Sequence, residues 1–249
     1  MMKKIAAFAL ILLGSFQAFS QAPDYDDLKI LFADGKYEKL TKYADNYTQK
    51  ESLKKDPIPY VWLAKGLHKI SVSGTKDENF KNAFKDAIGA MTKAFKLDKD
   101  STLMNEFGDF IAEFQIALSE YITNDLTAKD YAKASGWAMK YSKISYHPIG
   151  AQYIDGAAKY RKADKGTALT IWKTADAEVN KLIAKKAEIS DWTEADLSLF
   201  RTGIFSTVEC LIDGKQVPKA RALLAKVEPL FAEDEEFKTR SEELNALMN

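Results

Sequence analysis

The sequence predicts an all-α protein of antiparallel helix hairpins stacked into a solenoid, and three observations carry that reading. Apolar residues recur at three- and four-residue spacing along the chain: Leu28, Leu31, Phe32; Tyr60, Leu63, Ala64, Leu67; Phe107, Ile111, Phe114, Leu118; Leu197, Phe200, Ile204, Val208. No convincing run alternates apolar and polar residues, and Asp34-Gly35 and Asp213-Gly214 stand between helical patterns rather than between strands. The connections are short, and helices joined by a few residues pack as antiparallel neighbours.

The first element is an address rather than part of the fold. Lys3-Lys4, an apolar run from Ile5 to Phe16 and the small residues Ala18 and Ser20 match an export signal, with cleavage expected after Ser20. The apolar run has about twelve residues, against the roughly 20 a bilayer span needs. No Cys stands nearby to accept a lipid. The expectation is therefore a signal peptide over 1–20 and one helical domain over 21–249, exported to the periplasm of a Gram-negative bacterium and without stable membrane insertion after cleavage.

About eleven helices follow, expected at 25–33, 36–50, 58–71, 77–97, 102–122, 128–144, 149–162, 165–186, 194–213, 217–230 and 235–247. Pro57, Pro148 and Pro218 each open a helical pattern, where a missing amide hydrogen is harmless and the fixed φ suits the first turn. Ser101 is placed to cap the helix after it, and Thr193 with Asp196 resembles a capping box. The stretches 71–78 and 124–129 read as the mobile loops. The last segment, acidic at Glu233 to Glu236 yet apolar at Phe237, Leu244 and Leu247, reads as a capping helix with a polar outer face.

Composition narrows the function. The 249 residues carry 36 Lys+Arg and 36 Asp+Glu, and without 1–20 the formal charge is minus two, which removes the electrostatic case for nucleic acid. Only Arg161, Arg201, Arg221 and Arg240 are arginines, so bidentate clamps for phosphate or carboxylate are scarce. Cys210 is the only thiol; it can form no intrachain disulfide and, beside Val208, Leu211 and Ile212, reads as a buried small hydrophobe.

The hairpins repeat imperfectly. From Ile149 to about Leu182, Gly156 precedes Ala168 by twelve residues, and Trp172 and Ala175 follow at four and then three. Close helix crossings need small side chains at the contact and a bulky one beside them. Ala87, Met91, Ala94 and Ala220, Leu224, Val227 repeat the pattern, as do Ala134, Ala138, Tyr141 after Asp130-Tyr131, whereas Leu40, Ala44, Tyr47 put the bulk elsewhere. This resembles the tetratricopeptide repeat, over roughly residues 26–230. Key positions 40, 87, 134, 168 and 220 are separated by 47, 47, 34 and 52 residues, of which only one is the family period. An irregular helical bundle or another helical-repeat family stays open beside it.

Motifs for chemistry are sparse. His68 and His147 fit no metal-ligand spacing, and nucleophile-elbow, phosphate-loop and dinucleotide signatures are lacking, so no catalytic residue, metal or cofactor is expected. His147 before Pro148 reads as a turn residue. Glu106, Asp109, Glu113 and Glu120 share helical spacing and read as a solvated face, although a carboxylate-dependent glycan- or peptidoglycan-acting enzyme needs only two acids at a suitable separation. Asp24 to Asp27 lacks the rest of a calcium loop. Trp62, Trp137 and Trp172 read as core, and Trp192 as a staple ahead of a helix.

The family resemblance implies a groove lined by the first helix of each hairpin, receiving a peptide or helix from another protein. Carried over, its positions are Val61, Lys65, His68 and Lys69 from one unit and Tyr153, Ala157, Tyr160 and Arg161 from another: a basic, aromatic groove for an acidic or C-terminal peptide. The alternative for these residues is ordinary solvated lysines and tyrosines packed between repeats. The functional expectation is an exported, non-catalytic scaffold that binds another protein or peptide; a carrier of a small apolar ligand between helices is the third reading.

Overall fold

The computed structural model describes residues 24–74 and 76–248, so the expected leader over 1–20 lies outside the described residues. Eleven α-helices follow in order: α1 (Asp26–Ala33), α2 (Tyr37–Gln49), α3 (Ile58–Val72), α4 (Ala83–Leu97), α5 (Leu103–Thr127), α6 (Tyr131–Tyr141), α7 (Ile149–Arg161), α8 (Lys165–Lys185), α9 (Glu194–Asp213), α10 (Val217–Val227) and α11 (Glu235–Leu247). Two 3-10 turns, Glu78–Phe80 and Glu228–Phe231, lie between them, and the described residues contain no strand. None of these helices is long and apolar enough to cross a membrane.

Local chemistry sets most of the helix starts. Pro57 and Pro148 immediately precede α3 and α7, and Pro218 is the second residue of α10. Asp130, Asp164 and Asp234 accept first-turn amides of α6, α8 and α11, and the Thr193 hydroxyl accepts the Asp196 amide at 3.2 Å.

Three details depart from the pattern read in the sequence. Ser101 does not cap α5: its φ is +56°, and the Asp98 carboxylate receives the amides of Thr102 and Leu103 at 3.0 Å instead. The expected 77–97 helix is broken, because the Asp77 carboxylate takes the Asn79 amide and starts a separate 3-10 turn. Residues 124–127 are not a loop. They continue α5, since Ile122 is buried and Leu126 packs on the core one turn later.

The second half of the molecule is organised by a close crossing. A Cβ on Gly203 of α9 would lie 2.5 Å from the Gly150 carbonyl oxygen of α7, and one on Gly150 would lie 2.6 Å from the Leu199 oxygen. Backbones approach this closely only where a glycine leaves empty the space a Cβ would fill. Gly150 near Leu199 and Ala157 near Cys210 show that α7 and α9 run parallel, while Tyr160 stacked near Trp172 and the Tyr153 hydroxyl on Asp176 show that α7 and α8 run antiparallel. The small-bulky-small triplet works as expected here: Ala168, Trp172 and Ala175 are buried, and the Trp172 indole lies over Gly156 and donates to the Tyr153 carbonyl at 3.2 Å.

The first half repeats the hairpin arrangement around α3. Gly66 meets Leu40 and Thr41 of α2, and Trp62 and His68 meet Phe107 and Phe114 of α5. Phe107 has non-helical backbone (φ −120°, ψ 15°) that kinks α5.

The helices do not pack as a linear array. In a linear array each unit touches only its neighbours, yet α5 packs on α9, two hairpins onward. Gln115 donates to the Ile144 carbonyl at 2.7 Å and accepts from the Thr193 hydroxyl at 2.8 Å, while buried Asp196 accepts from the hydroxyls of Tyr141 and Ser145 at 2.9 and 2.6 Å. This polar network joins two apolar clusters, one mainly from α1 to α6 and one from α7 to α11.

Gly203→Ala is expected to lose about 3 kcal/mol, because its new methyl meets backbone that cannot rotate away. Gly89→Ala, with nothing within 4 Å of the new Cβ, is expected to gain about 0.5–1 kcal/mol from helix propensity. Chemical denaturation of the two variants checks the contrast.

Candidate functional site: the cleft between α3, α4 and α5

The eight groove residues expected from the sequence do not share one surface. Val61 is fully buried in the first cluster, whereas Tyr153, Ala157 and Tyr160 are buried in the second. Tyr153 gives its hydroxyl to Asp176, and Tyr160 stacks on Trp172 with ring centroids 5.4 Å apart. Arg161 pairs with Asp213 at the end of α9. The tyrosines follow the alternative stated above: they pack between helices.

Lys65, His68 and Lys69 do stand together on α3, but their surroundings are not basic. Lys65 is folded onto an aromatic bed, its Nζ 4.4 Å from the Phe32 ring and 4.5 Å from the Trp62 ring, with Phe107 and Phe110 beyond. Burial lowers its pKa from the ordinary lysine value, against the pull of Glu113 and Glu106. Lys69 pairs with Glu113 of α5 at 2.8 Å, a contact that holds the Glu113 carboxyl below its usual range. An acid 44 residues away thus neutralises one of the groove lysines.

His68 is the residue that opens onto a usable space. It is 3% exposed, with Nε2 3.6 Å from Glu113 Oε1 and Nδ1 without a hydrogen-bond partner. It lines a cleft of about 550 Å³ between α3, the 3-10 turn, α4 and α5. Val72 and Tyr121 line the same cleft and are 66% and 46% exposed, unusual exposure for such side chains. Phe84 extends the apolar surface, its ring 5.1 Å from Tyr121, which in turn lies 5.1 Å from Trp137. Sequence reasoning missed Val72, Phe84 and Tyr121. Their periodic spacing gives no sign of which apolar residues stay uncovered.

No family model, curated protein or solved structure matches this chain.

Other candidate chemistry resolves into packing. Burial raises the carboxyls of Asp155 and Asp196, but each sits within helix contacts, Asp155 receiving the Ser135 hydroxyl at 2.5 Å. Asp24 and Asp26 share Lys29, and among the described residues no cluster of three or more His, Cys, Asp or Glu could hold a metal ion. Cys210 is buried, and burial pushes its thiol up to about 11. His147, at the turn before α7, stacks on Trp192 at 4.3 Å.

Burial lowers the pKa of both histidines in the folded chain. A group with a depressed folded pKa supports the fold above its unfolded pKa, about 6.5, and withdraws that support as pH falls through the folded value. Asp155 and Asp196, shifted up, act in the opposite sense. The melting temperature of the wild type is therefore expected to fall below pH 6.5 relative to the His68→Gln/His147→Gln variant, which thermal scans from pH 8 to pH 5 would measure.

Proposed function

We propose that this chain is an exported, non-catalytic helical scaffold of the tetratricopeptide-like kind that binds another protein or peptide in the cell envelope of a Gram-negative bacterium. The observation that carries the reading is the cleft at His68, where an apolar rim of Val72 and Tyr121 surrounds a buried imidazole nitrogen with no partner. Such a surface accepts an apolar side chain and, at its floor, one hydrogen bond from the segment carrying it. Lys81, Glu120 and Asn124 along the lining give it a mixed polar edge of the sort that surrounds a protein contact. The signal-like residues 1–20 support the compartment, and the parallel neighbours α3 and α5 support the repeat-like reading.

The test is affinity capture from the producing cell's envelope with the wild-type chain and with Val72→Asp/Tyr121→Asp. Val72 is largely exposed and Tyr121 about half exposed, so the variant is expected to keep its helical circular dichroism, with a melting temperature lowered by the loss of the Tyr121 ring contacts to Phe84 and Trp137. The expected outcome is one protein retained by the wild type and reduced about tenfold or more by the variant, the size of effect typical of central interface residues. Identical captured sets from the two folded chains would remove the cleft from the reading, and saturable turnover by the purified chain would remove the non-catalytic part.

A further inference from the structure

A second cleft, of about 600 Å³, opens between α8 and α10 with α7 and α9 as its floor. It exists because α8 packs on α7 and α10 packs on α9 without packing closely on each other. Its lining is mainly apolar: Trp172 and the half-exposed Leu169 from α8, Leu223 from α10, and Leu211 of α9 in the floor.

The polar groups in this cleft are unevenly satisfied. Asp176, the carboxylate in the lining, is held twice, by Lys226 Nζ at 2.6 Å and by the Tyr153 hydroxyl. Lys219 donates to Gln216 Oε1 at 2.9 Å, a neutral partner that leaves its charge uncompensated. Lys173 also lines the cleft, and among the described residues it has no ion pair. At the floor the Thr207 side chain is 2% exposed and its hydroxyl has no partner. A buried hydroxyl without a partner weakens the folded state, and a polar ligand atom would satisfy it.

We propose that this cleft binds an anionic amphiphile, a carboxylate carrying a single alkyl chain. The volume lies within the range of small-molecule sites, which combine apolar walls with a few placed polar groups. The chain lies on Trp172, Leu211 and Leu223, the ammonium groups of Lys173 and Lys219 compensate the carboxylate, and Thr207 supplies a hydrogen bond from the floor. This site is separate from the His68 cleft, so either can fail without the other.

Dodecanoate, kept below its micelle concentration, is the probe, and titration calorimetry on the chain lacking residues 1–20 is the measurement. Saturable binding of one dodecanoate per chain is expected, weakened about tenfold by Lys173→Gln/Lys219→Gln and also weakened by Thr207→Val. Thr207→Val should raise the melting temperature of the ligand-free chain, since it removes the unsatisfied hydroxyl; a variant that is more stable yet binds less tightly separates a ligand contact from a folding defect. Dodecyltrimethylammonium, equal in chain length and opposite in charge, should show no comparable binding. Absence of saturable dodecanoate binding, equal affinity for the cationic analogue, or affinity unchanged in the lysine variant would each overturn the proposal. Binding of an acidic amphipathic peptide where dodecanoate does not bind would overturn it in favour of a protein partner.

Discussion

The crossing of α7 over α9 is the constraint to which the C-terminal half of the fold is referred. At Gly150 and Gly203 the two backbones meet with no side chain between them. The two helices are therefore held parallel and near, and their outer partners, α8 and α10, are carried along on either side. Dispersion contacts and buried apolar area scale with such close approach. The same geometry leaves α8 and α10 apart, so one packing event creates both the tightest contact and the cleft that Thr207 floors.

The polar network between α5 and α9 has a different role. Gln115, Thr193, Tyr141, Ser145 and Asp196 satisfy one another across three helices and the turn before α7, where unmatched polar groups would be costly. It connects hairpins that a linear repeat array would keep separate, and so gives the middle of the molecule a more globular character than regular repeats have. One of the irregular motif intervals, from position 87 to 134, spans the long α5, which reaches beyond its immediate neighbours.

How much of this the sequence announced depends on whether the information was local. Several helix starts were legible because their cause is local: Pro57, Pro148 and Pro218 fix the first-turn backbone, and the Thr193 hydroxyl accepts the Asp196 amide three residues on. The continuation of α5 past Asn124 was not, because it follows from burial of Ile122 and Leu126 rather than from the loop-forming residues between them. At the candidate site, Lys65 was legible as the helical neighbour of His68 and Lys69, three and four residues on. Glu113 opposite them was not, nor was the burial of Tyr153 and Ala157, since each depends on a helix contributed from elsewhere in the chain.

By itself the sequence determined the all-α class, the order of the eleven described helices with most of their bounds, though not the start of α4 or the end of α5, and the buried triplet of Ala168, Trp172 and Ala175, because periodicity and capping are properties of a single segment. Tertiary structure alone decided which faces are left open. The same apolar spacing that buries Phe114 leaves Tyr121 exposed, and the same lysine type is neutralised at position 69 and uncompensated at position 173. Exposure and charge balance are set by the neighbour that packs across, and no single segment encodes its neighbour.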